Sequence, residues 1–260
     1  MARLLIATVG TSLLTNRDRP WQGWHPAASL ALPSVEAIVA WMITADPAKI
    51  SAETNTLRAI GLAESDRIEL LYSDTPEGRT CFESLQAYYA ATGPARAVQG
   101  HVIRSLGYQE ARFARGLRGL ITAALTAHRA ALAEGRQPVF CVTGGFKPES
   151  AFLTLLGSLL AVEVVYIHEA FREVVRLPPL PVTWDLGLVR ENRDFLDWID
   201  TAMRPWDEVE PRLATRPGLR NLVESVDVQG RTCAVLSSAG VLLAEATKAR
   251  VATSPSPGQP

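Results

Sequence analysis

Short apolar runs alternate with segments of helical periodicity along this chain, and the alternation constrains the fold more than any other feature. Five such runs are typical of buried strands, namely residues 4–9, 68–72, 98–103, 139–142 and 162–167. Helical patterns separate most of these runs, as in 34–42, 80–91 and 111–134. Strands joined through helices imply right-handed crossovers and a mainly parallel sheet covered on both faces. The sequence therefore predicts an α/β protein with a Rossmann-like sheet.

The alternation breaks at the proline-rich segment 177–181, where we predict a linker. Beyond it, two short helices, a hairpin strand and a final small helix or strand are expected over 192–203, 205–213, 227–236 and from Ser237 onward. Helices that end in a hairpin can form a small α+β winged-helix-like unit. We predict a Rossmann-like domain over 1–182, the winged-helix-like domain over 183–253 and a disordered tail over 254–260.

Charge and composition limit the partners of this protein. The 260 residues include 26 basic and 27 acidic side chains, so the net charge is −1. This balance gives no general basic surface for a long nucleic acid and favours a small polyanion held in a pocket. No apolar run reaches the ~20 residues of a membrane helix, and Met-Ala-Arg leads directly into the first strand without a signal peptide. We therefore expect a cytoplasmic protein without a membrane partner.

Cysteine and histidine residues are few and scattered. The three cysteines (Cys81, Cys141 and Cys233) and the four histidines lack metal-ligand spacing. We expect reduced cysteines and no metal site.

Two glycine turns follow predicted strands and carry the chemistry of the sequence. Gly10-Thr11-Ser12 ends the first run, and Thr143-Gly144-Gly145-Phe146-Lys147 ends the fourth. The Asp74-Thr75 turn follows the second run. In a parallel sheet these turns share the carboxyl edge, where ligands bind at a switch in strand order. Glycine amides, hydroxyl groups and a lysine at a helix start then predict a pocket for a phosphate-bearing ligand.

The position of Lys147 is unusual, because a helix N-terminus normally favours acidic residues, and a cation there indicates that an anion compensates it. Neither turn has P-loop or GxGxxG spacing. Asp74 is the one carboxylate we expect at the edge, whereas magnesium-dependent nucleotide chemistry normally uses a pair. We therefore predict a metal-independent reaction without a cofactor.

Several segments, in this order, resemble the CARF domains of CRISPR-associated proteins, and most closely the standalone ring nucleases that degrade cyclic tetra-adenylate in type III systems. They are residues 4–13, 51–57, 71–75, 143–147 and 166–169, and Thr-Gly-Gly-Phe-Lys is the most specific of them. The resemblance covers about residues 1 to 180. The hairpin with Leu236-Ser-Ser-Ala-Gly resembles the small C-terminal part of that family more loosely.

The resemblance implies a homodimer that binds cyclic oligoadenylate across its two-fold axis. It also implies metal-independent cleavage, in which a ribose 2′-hydroxyl attacks its own 3′-phosphate. Ser12 and Lys147 fall on the catalytic serine and lysine of the family, to orient the reacting groups and to stabilise negative charge. The other expected ligand-binding residues are Gly10, Thr11, Asp74, Thr75, Thr143, Gly144, Gly145 and Phe146.

Three functions compete at this stage: a ring nuclease, a non-catalytic sensor that regulates transcription through its winged-helix-like tail, and an effector ribonuclease. The effector class requires an Arg-x4-6-His motif, and no histidine follows His168. The regulator requires a basic recognition helix, but prolines and acidic residues interrupt the arginines at 212, 216 and 220. The loop from residue 16 to 28, with Trp21, Trp24 and His25, is either a self-packed surface loop or an adenine-stacking lid. The sequence does not distinguish tetra- from hexa-adenylate.

Overall fold

The computed structural model describes residues 2–16, 18–21, 31–93, 97–106, 110–167, 173–178 and 186–253. Trp24, His25 and His168, most of the proline-rich linker and the tail from 254 to 260 lie outside the described residues. The chain divides into two compact units, Met1–Leu180 and Pro181–Pro260.

The first unit alternates strands and helices as the apolar runs predict. Its strands are β1 (Arg3–Thr8), β2 (Arg67–Ser73), β3 (Ala97–Ile103), β4 (Gln137–Cys141), β5 (Glu163–Tyr166) and β6 (Val175–Leu177). Its helices are α1 (Ser12–Thr15), α2 (Val35–Thr44), α3 (Pro47–Ile50), α4 (Ala52–Ile60), α5 (Pro76–Thr92), α6 (Glu110–Ala133) and α7 (Lys147–Leu160).

The six strands form one sheet in the order β3-β2-β1-β4-β5-β6, and all neighbours are parallel except β5 and β6. The Rossmann-like fold class is thereby confirmed. Strand order reverses between β1 and β4, so the crevice at their carboxyl ends is the expected ligand position. The Gly10 and Gly144 turns leave the sheet at that crevice.

Burial explains why β1 lies at the centre of this sheet. Leu5 and Ile6 are fully buried on opposite faces of the strand, because successive side chains of a strand alternate. The edge strand β3 is more exposed, at Gln99, Gly100 and Val102. The central position of β1 holds the first glycine turn between two hydrogen-bonded neighbours.

Side-chain caps begin four helices of the first unit, including α3, where Asp46 accepts a hydrogen bond from the Ala48 amide. Ser34, Ser51 and Thr75 each accept a backbone N–H at the N-terminus of α2, α4 and α5. Ser51 and Thr54 form a reciprocal capping box, which fixes where α4 begins. The predicted start of a helix at Ser51 is confirmed.

One strand of the first unit departs from the sequence prediction. The linker was expected from residue 177, but Leu177 ends β6 and pairs with Val164 of β5. A three-residue strand at a sheet edge is too short to give a periodic pattern, so the sequence does not reveal it.

The second unit contains α8 (Leu186–Glu191), α9 (Arg193–Thr201), β7 (Arg204–Pro205), α10 (Trp206–Ala214), a 3₁₀ helix (Pro217–Leu222), β8 (Val223–Val228), β9 (Arg231–Leu236) and α11 (Ser238–Thr253). Its antiparallel sheet has the order β7-β9-β8. The expected single hairpin strand over 227–236 is instead divided by a turn at Gln229 and Gly230, both of which have positive φ. The segment after Ser237 is a 16-residue helix rather than a small element.

In the described part of the chain, no helix combines the length and apolar character that a membrane crossing requires.

Candidate functional site

The two glycine turns contact each other at the carboxyl edge of the sheet. A β-carbon on Gly10 would lie 2.7 Å from the Gly145 nitrogen, closer than side chains pack. Gly145 also has φ +87°, in the left-handed region that disfavours other residues. The Thr8 hydroxyl donates a 2.6 Å hydrogen bond to the Gly144 carbonyl and fastens the second turn to β1. The structure thus brings together the turns that the sequence predicts to be neighbours.

A buried carboxylate, Glu53 of α4, connects both turns. Its Oε1 accepts a 2.8 Å hydrogen bond from the Gly10 amide, and the same atom occupies the space that a β-carbon on Gly144 would need. The residue is only 2% exposed. Burial raises the pKa of Glu53, while hydrogen bonds from Gly10, Ser51, its own amide and Ser12 act in the opposite direction. Glu53 is therefore a structural bridge, and protein donors offset part of the cost of burying its charge.

Ser12 lies beside this carboxylate. Its hydroxyl accepts a 3.0 Å hydrogen bond from the Ala52 amide and is 3.4 Å from Glu53 Oε2, a long contact for a hydroxyl donor. Among the described residues Ser12 Oγ accepts this one hydrogen bond, so a second lone pair remains for a further donor. The site of the predicted serine is thus held by the first turn of α4.

A second buried carboxyl group, Glu149 of α7, lies against the next residue of the second glycine turn, Gly145. It is 2% exposed, and its Oε2 occupies the space that a β-carbon on Gly145 would need. Burial raises the pKa of Glu149 to about 8, opposed by the Phe146 amide and reinforced by the negative charge of Glu53. Glu149 therefore holds a proton at neutral pH.

Glu149 lines a small cavity of about 60 Å³ next to the two turns. The remaining wall is formed by Val9, Gly10, Thr11, Ser73, Thr75, Gly78, Leu106, Gly145 and Phe146. Hydroxyl groups, glycine backbone and apolar groups make up this wall, with Glu149 as its ionisable member. A cavity of this size accommodates a phosphate-sized group rather than a whole nucleotide.

Lys147 is the first residue of α7 and is exposed. Within the described ranges it makes no hydrogen bond or ion pair with a protein group. Phe146, which precedes it, is 36% exposed and reaches the cavity wall. Lys147 is therefore available to a ligand at the mouth of the crevice, although it is not part of the cavity wall itself.

The structure gives the remaining predicted ligand-binding residues different surroundings. The Thr143 hydroxyl accepts hydrogen bonds from Thr56 (2.6 Å) and from the Ile167 amide (3.0 Å), so it supports the sheet edge. Thr75 reaches the cavity while its hydroxyl caps α5. Asp74 is exposed, and its carboxylate accepts a 3.1 Å hydrogen bond from the Ser105 amide outside the cavity.

Glu53 and Glu149 are the site residues that sequence reasoning missed. Both occupy the first turn of a helix, where acidic side chains are common because they complement the helix dipole. For Glu149 the available signal was its position, since α7 begins directly after the Gly144-Gly145 turn, whereas α4 with Glu53 follows no glycine turn in the sequence. Sequence alone does not show that their side chains point inward.

The second unit holds a larger cavity of about 380 Å³ between α8, α9 and α11. None of the predicted site residues lines it. Three of the four charged groups that line it form ion pairs within the same unit, because Arg193 contacts Asp197 and Lys248 contacts both Asp200 and Glu245. We place the candidate site at the glycine turns, where chemically active groups lack such neutralisation.

Metal-ligating side chains do not cluster in the part of the chain that the structure describes: no group of three or more His, Cys, Asp or Glu residues could hold an ion. The absence of a metal from the reaction remains a prediction.

Comparison with known proteins supplies the family. No curated protein matches this chain. A family model described as "CRISPR-associated protein (Cas_APE2256)" matches residues 48–180, which include α4 with Glu53 and the glycine turn with Lys147 and Glu149. Because this match covers just over half of the 260 residues, the chain belongs to this family of CRISPR-associated proteins.

Proposed function

We propose that this protein is a metal-independent ring nuclease of a type III CRISPR system that binds cyclic oligoadenylate, specifically cyclic tetra-adenylate, and cleaves it. The products are linear di-adenylate molecules with a 2′,3′-cyclic phosphate. Removal of the ring would switch off the signal. One observation carries the proposal: two glycine turns meet at the reversal of strand order and deliver an exposed lysine there.

The chemistry of this reaction suits the groups in the crevice. The nucleophile belongs to the substrate, so the protein has to position the 2′-hydroxyl and stabilise charge on the phosphate. Ser12 offers a hydroxyl at the start of α1, and Lys147 supplies a mobile cation at the start of α7. Membership of a CRISPR-associated family supports a cyclic oligoadenylate as the polyanion.

A homodimer is part of the proposal. The cavity of about 60 Å³ in one subunit is far smaller than a ring of adenylates. Two copies related by a two-fold axis would present the same turns to a ligand that itself repeats. We expect one ring to bind per two chains, a stoichiometry that titration calorimetry measures.

The second candidate function is a non-cleaving sensor that regulates transcription. The order of helices and strands in the second unit favours it, because the hairpin β8–β9 follows two helical elements as in a winged helix. Against it, Arg212 stacks 4.3 Å from the Trp198 ring centroid, and Arg216 and Arg220 lie over Phe195 and Trp206. These contacts engage the arginines within the unit, and a six-residue 3₁₀ helix stands where a recognition helix is needed.

The testing experiment incubates the purified protein with labelled cyclic tetra-adenylate in EDTA and separates the products. Linear di-adenylate with a cyclic phosphate end is the expected result, and cyclic hexa-adenylate in parallel reports the preference for ring size. Ser12→Ala should cleave much more slowly while keeping its fold. Tight binding without conversion would favour the sensor. A protein that neither binds nor cleaves the ring would contradict both functions.

A further inference from the structure

We propose that Glu53 and Glu149 form the acid–base pair of the ring cleavage, with Glu53 acting through Ser12 and Glu149 donating a proton to the leaving oxygen. This inference rests on the proposed function and adds two residues to it. Its starting point is that both carboxyl groups are buried against the same glycine turn, Glu53 at Gly144 and Glu149 at Gly145.

The hydrogen bonds around the two carboxyl groups differ and assign their charge states. Burial raises the pKa of both groups, but Glu53 accepts hydrogen bonds from Gly10, Ser51, its own amide and Ser12, and these donors offset part of that effect by favouring the ionised form. Glu149 has the Phe146 amide as its donor, in an environment that is otherwise apolar or hydroxylic. Two neighbouring carboxyl groups do not both ionise readily, so the pair shares one proton, and Glu149 carries it.

The groups that face Glu149 leave this assignment undisturbed. Glu53 of α4 is the titratable group whose charge acts on it, and Lys147 lies two residues earlier on its own helix. The cavity residues from the β1 end, the β2–α5 turn and the segment after β3 are glycine, hydroxyl-bearing or apolar. Asp74 belongs to the β2–α5 turn but binds the Ser105 amide outside the cavity.

The proposed step conserves atoms and protons. The 2′-oxygen forms a bond to phosphorus as its proton passes to Ser12 Oγ, which in turn passes its own proton to the Glu53 carboxylate. The bond from phosphorus to the 5′-oxygen breaks, and its electron pair takes the proton of Glu149. Glu53 ends protonated and Glu149 ionised, and exchange with solvent restores both after product release. Glu53 is thus a positioning residue, and Glu149 is the group that touches the substrate.

The position of Glu149 supports donation to the substrate. It lines the cavity between the Gly10 and Gly145 turns, where the phosphate is proposed to bind, and it is a member of the helix that Lys147 begins. A neutral carboxylic acid there donates a hydrogen bond to an anion, whereas an ionised carboxylate would repel the anion.

The test is the pH dependence of kcat for cyclic tetra-adenylate cleavage in the full chain, compared with E149Q, E53Q and E69Q. The wild-type rate should decline above pH about 8, as Glu149 loses its proton. E149Q should fold normally, lose about 10²-fold in kcat with KM nearly unchanged, and lose the alkaline decline. E53Q should lose a similar factor in kcat. It should also lack the decline at acid pH that we expect in the wild type as Glu53 takes up a proton.

Glu69 is the matched control, because it is a buried glutamate of the same unit that pairs with His101 on β3, away from the turns. E69Q should keep both limbs of the pH profile. An active wild type without an alkaline decline, or E149Q with the wild-type profile, would overturn the acid–base pair and leave the ring nuclease intact. A wild type that binds but cleaves no ring would overturn the proposed function, and this inference with it. If E149Q does not fold, the wild-type profile alone decides.

Discussion

The two ends of the six-stranded sheet differ in whether a buried carboxyl group has a cation beside it. At the amino end of β1, the guanidinium of Arg3 contacts the Asp66 carboxylate, whose side chain is 1% exposed. At the carboxyl end of the same strand, Glu53 and Glu149 are equally buried but have no cation beside them among the described residues. The pKa directions follow from this difference.

At Asp66, hydrogen bonds fully compensate the effect of burial on the pKa. Burial alone would raise its pKa, but hydrogen bonds from the Arg3 side chain and from the Ala63 and Arg3 amides outweigh that effect and lower the pKa. Burial of Glu53 and Glu149 instead raises both pKa values. Compensated charge at one end serves stability, whereas the incompletely compensated carboxyl groups at the other end are the groups to which we assign the proposed reaction.

The largest expected effect concerns the reactive end. Lys147→Ala should reduce cleavage by about 10³-fold, which corresponds to ~4 kcal/mol of transition-state stabilisation. Its melting temperature should not change, because Lys147 is exposed. Single-turnover cleavage assays and thermal melts measure both quantities. Lys248→Ala, an exposed lysine of the second unit, is the control and should cleave normally.

The next effect concerns the compensated end. Asp66→Ala removes the acceptor of Arg3 and should lower the free energy of unfolding by about 3 kcal/mol, because a buried pair loses one member. The rate per folded molecule should stay unchanged, since the pair lies at the opposite edge from the turns. Chemical denaturation with a parallel activity assay checks this. A loss of kcat in the folded fraction would show that the two ends are coupled.

A third effect is the pH dependence of stability. The folded pKa of Glu149 is about 8, above its ordinary value of 4.5. The folded state therefore keeps a proton that the unfolded chain releases, and stability falls as pH rises through this window. The slope contributed by this proton approaches ~1.4 kcal/mol per pH unit. Glu149→Gln should flatten the curve measured by denaturation between pH 5 and pH about 8. An unchanged slope in this variant would contradict the buried neutral acid.

The smallest effect concerns a surface pair beside Asp66 in the sequence. Arg67 and Glu134 are 2.7 Å apart, but both side chains are more than two-fifths exposed. Arg67→Gln should change the free energy of unfolding by less than about 0.5 kcal/mol, because water and salt screen such pairs. Denaturation curves at low and high salt measure it. A larger change would contradict the expectation that an exposed ion pair contributes little to the free energy of unfolding.

Local patterns were sufficient to predict the main architecture. The apolar runs gave the five parallel strands, and Ser51 marked the start of α4 as its capping chemistry requires. Placement of both glycine turns at one edge followed from the rule that parallel strands end together, and the Gly10–Gly145 approach confirms it.

The remaining features depend on contacts between distant parts of the chain. Glu53 and Glu149 resemble ordinary helix-start residues until the fold turns them inward against Gly144 and Gly145. The hydrogen bond between the Thr143 hydroxyl and Thr56 of α4 was not predictable either, and the ligand-binding role of Thr143 stays a prediction. The roles of Ser12 and Lys147 remain predictions, because they depend on a ligand and not on the fold.

The central position of β1 has a consequence for local unfolding. The Val9 amide just before the first glycine turn donates a 2.9 Å hydrogen bond to Leu71, and β1 has parallel neighbours on both sides. We expect amides in such a strand to exchange with solvent mainly through opening of the whole unit, and those of the edge strands β3 and β6 to exchange through local fraying. The turn that carries Ser12 is therefore anchored to the part of the sheet that opens last, and its geometry persists for as long as the unit stays folded.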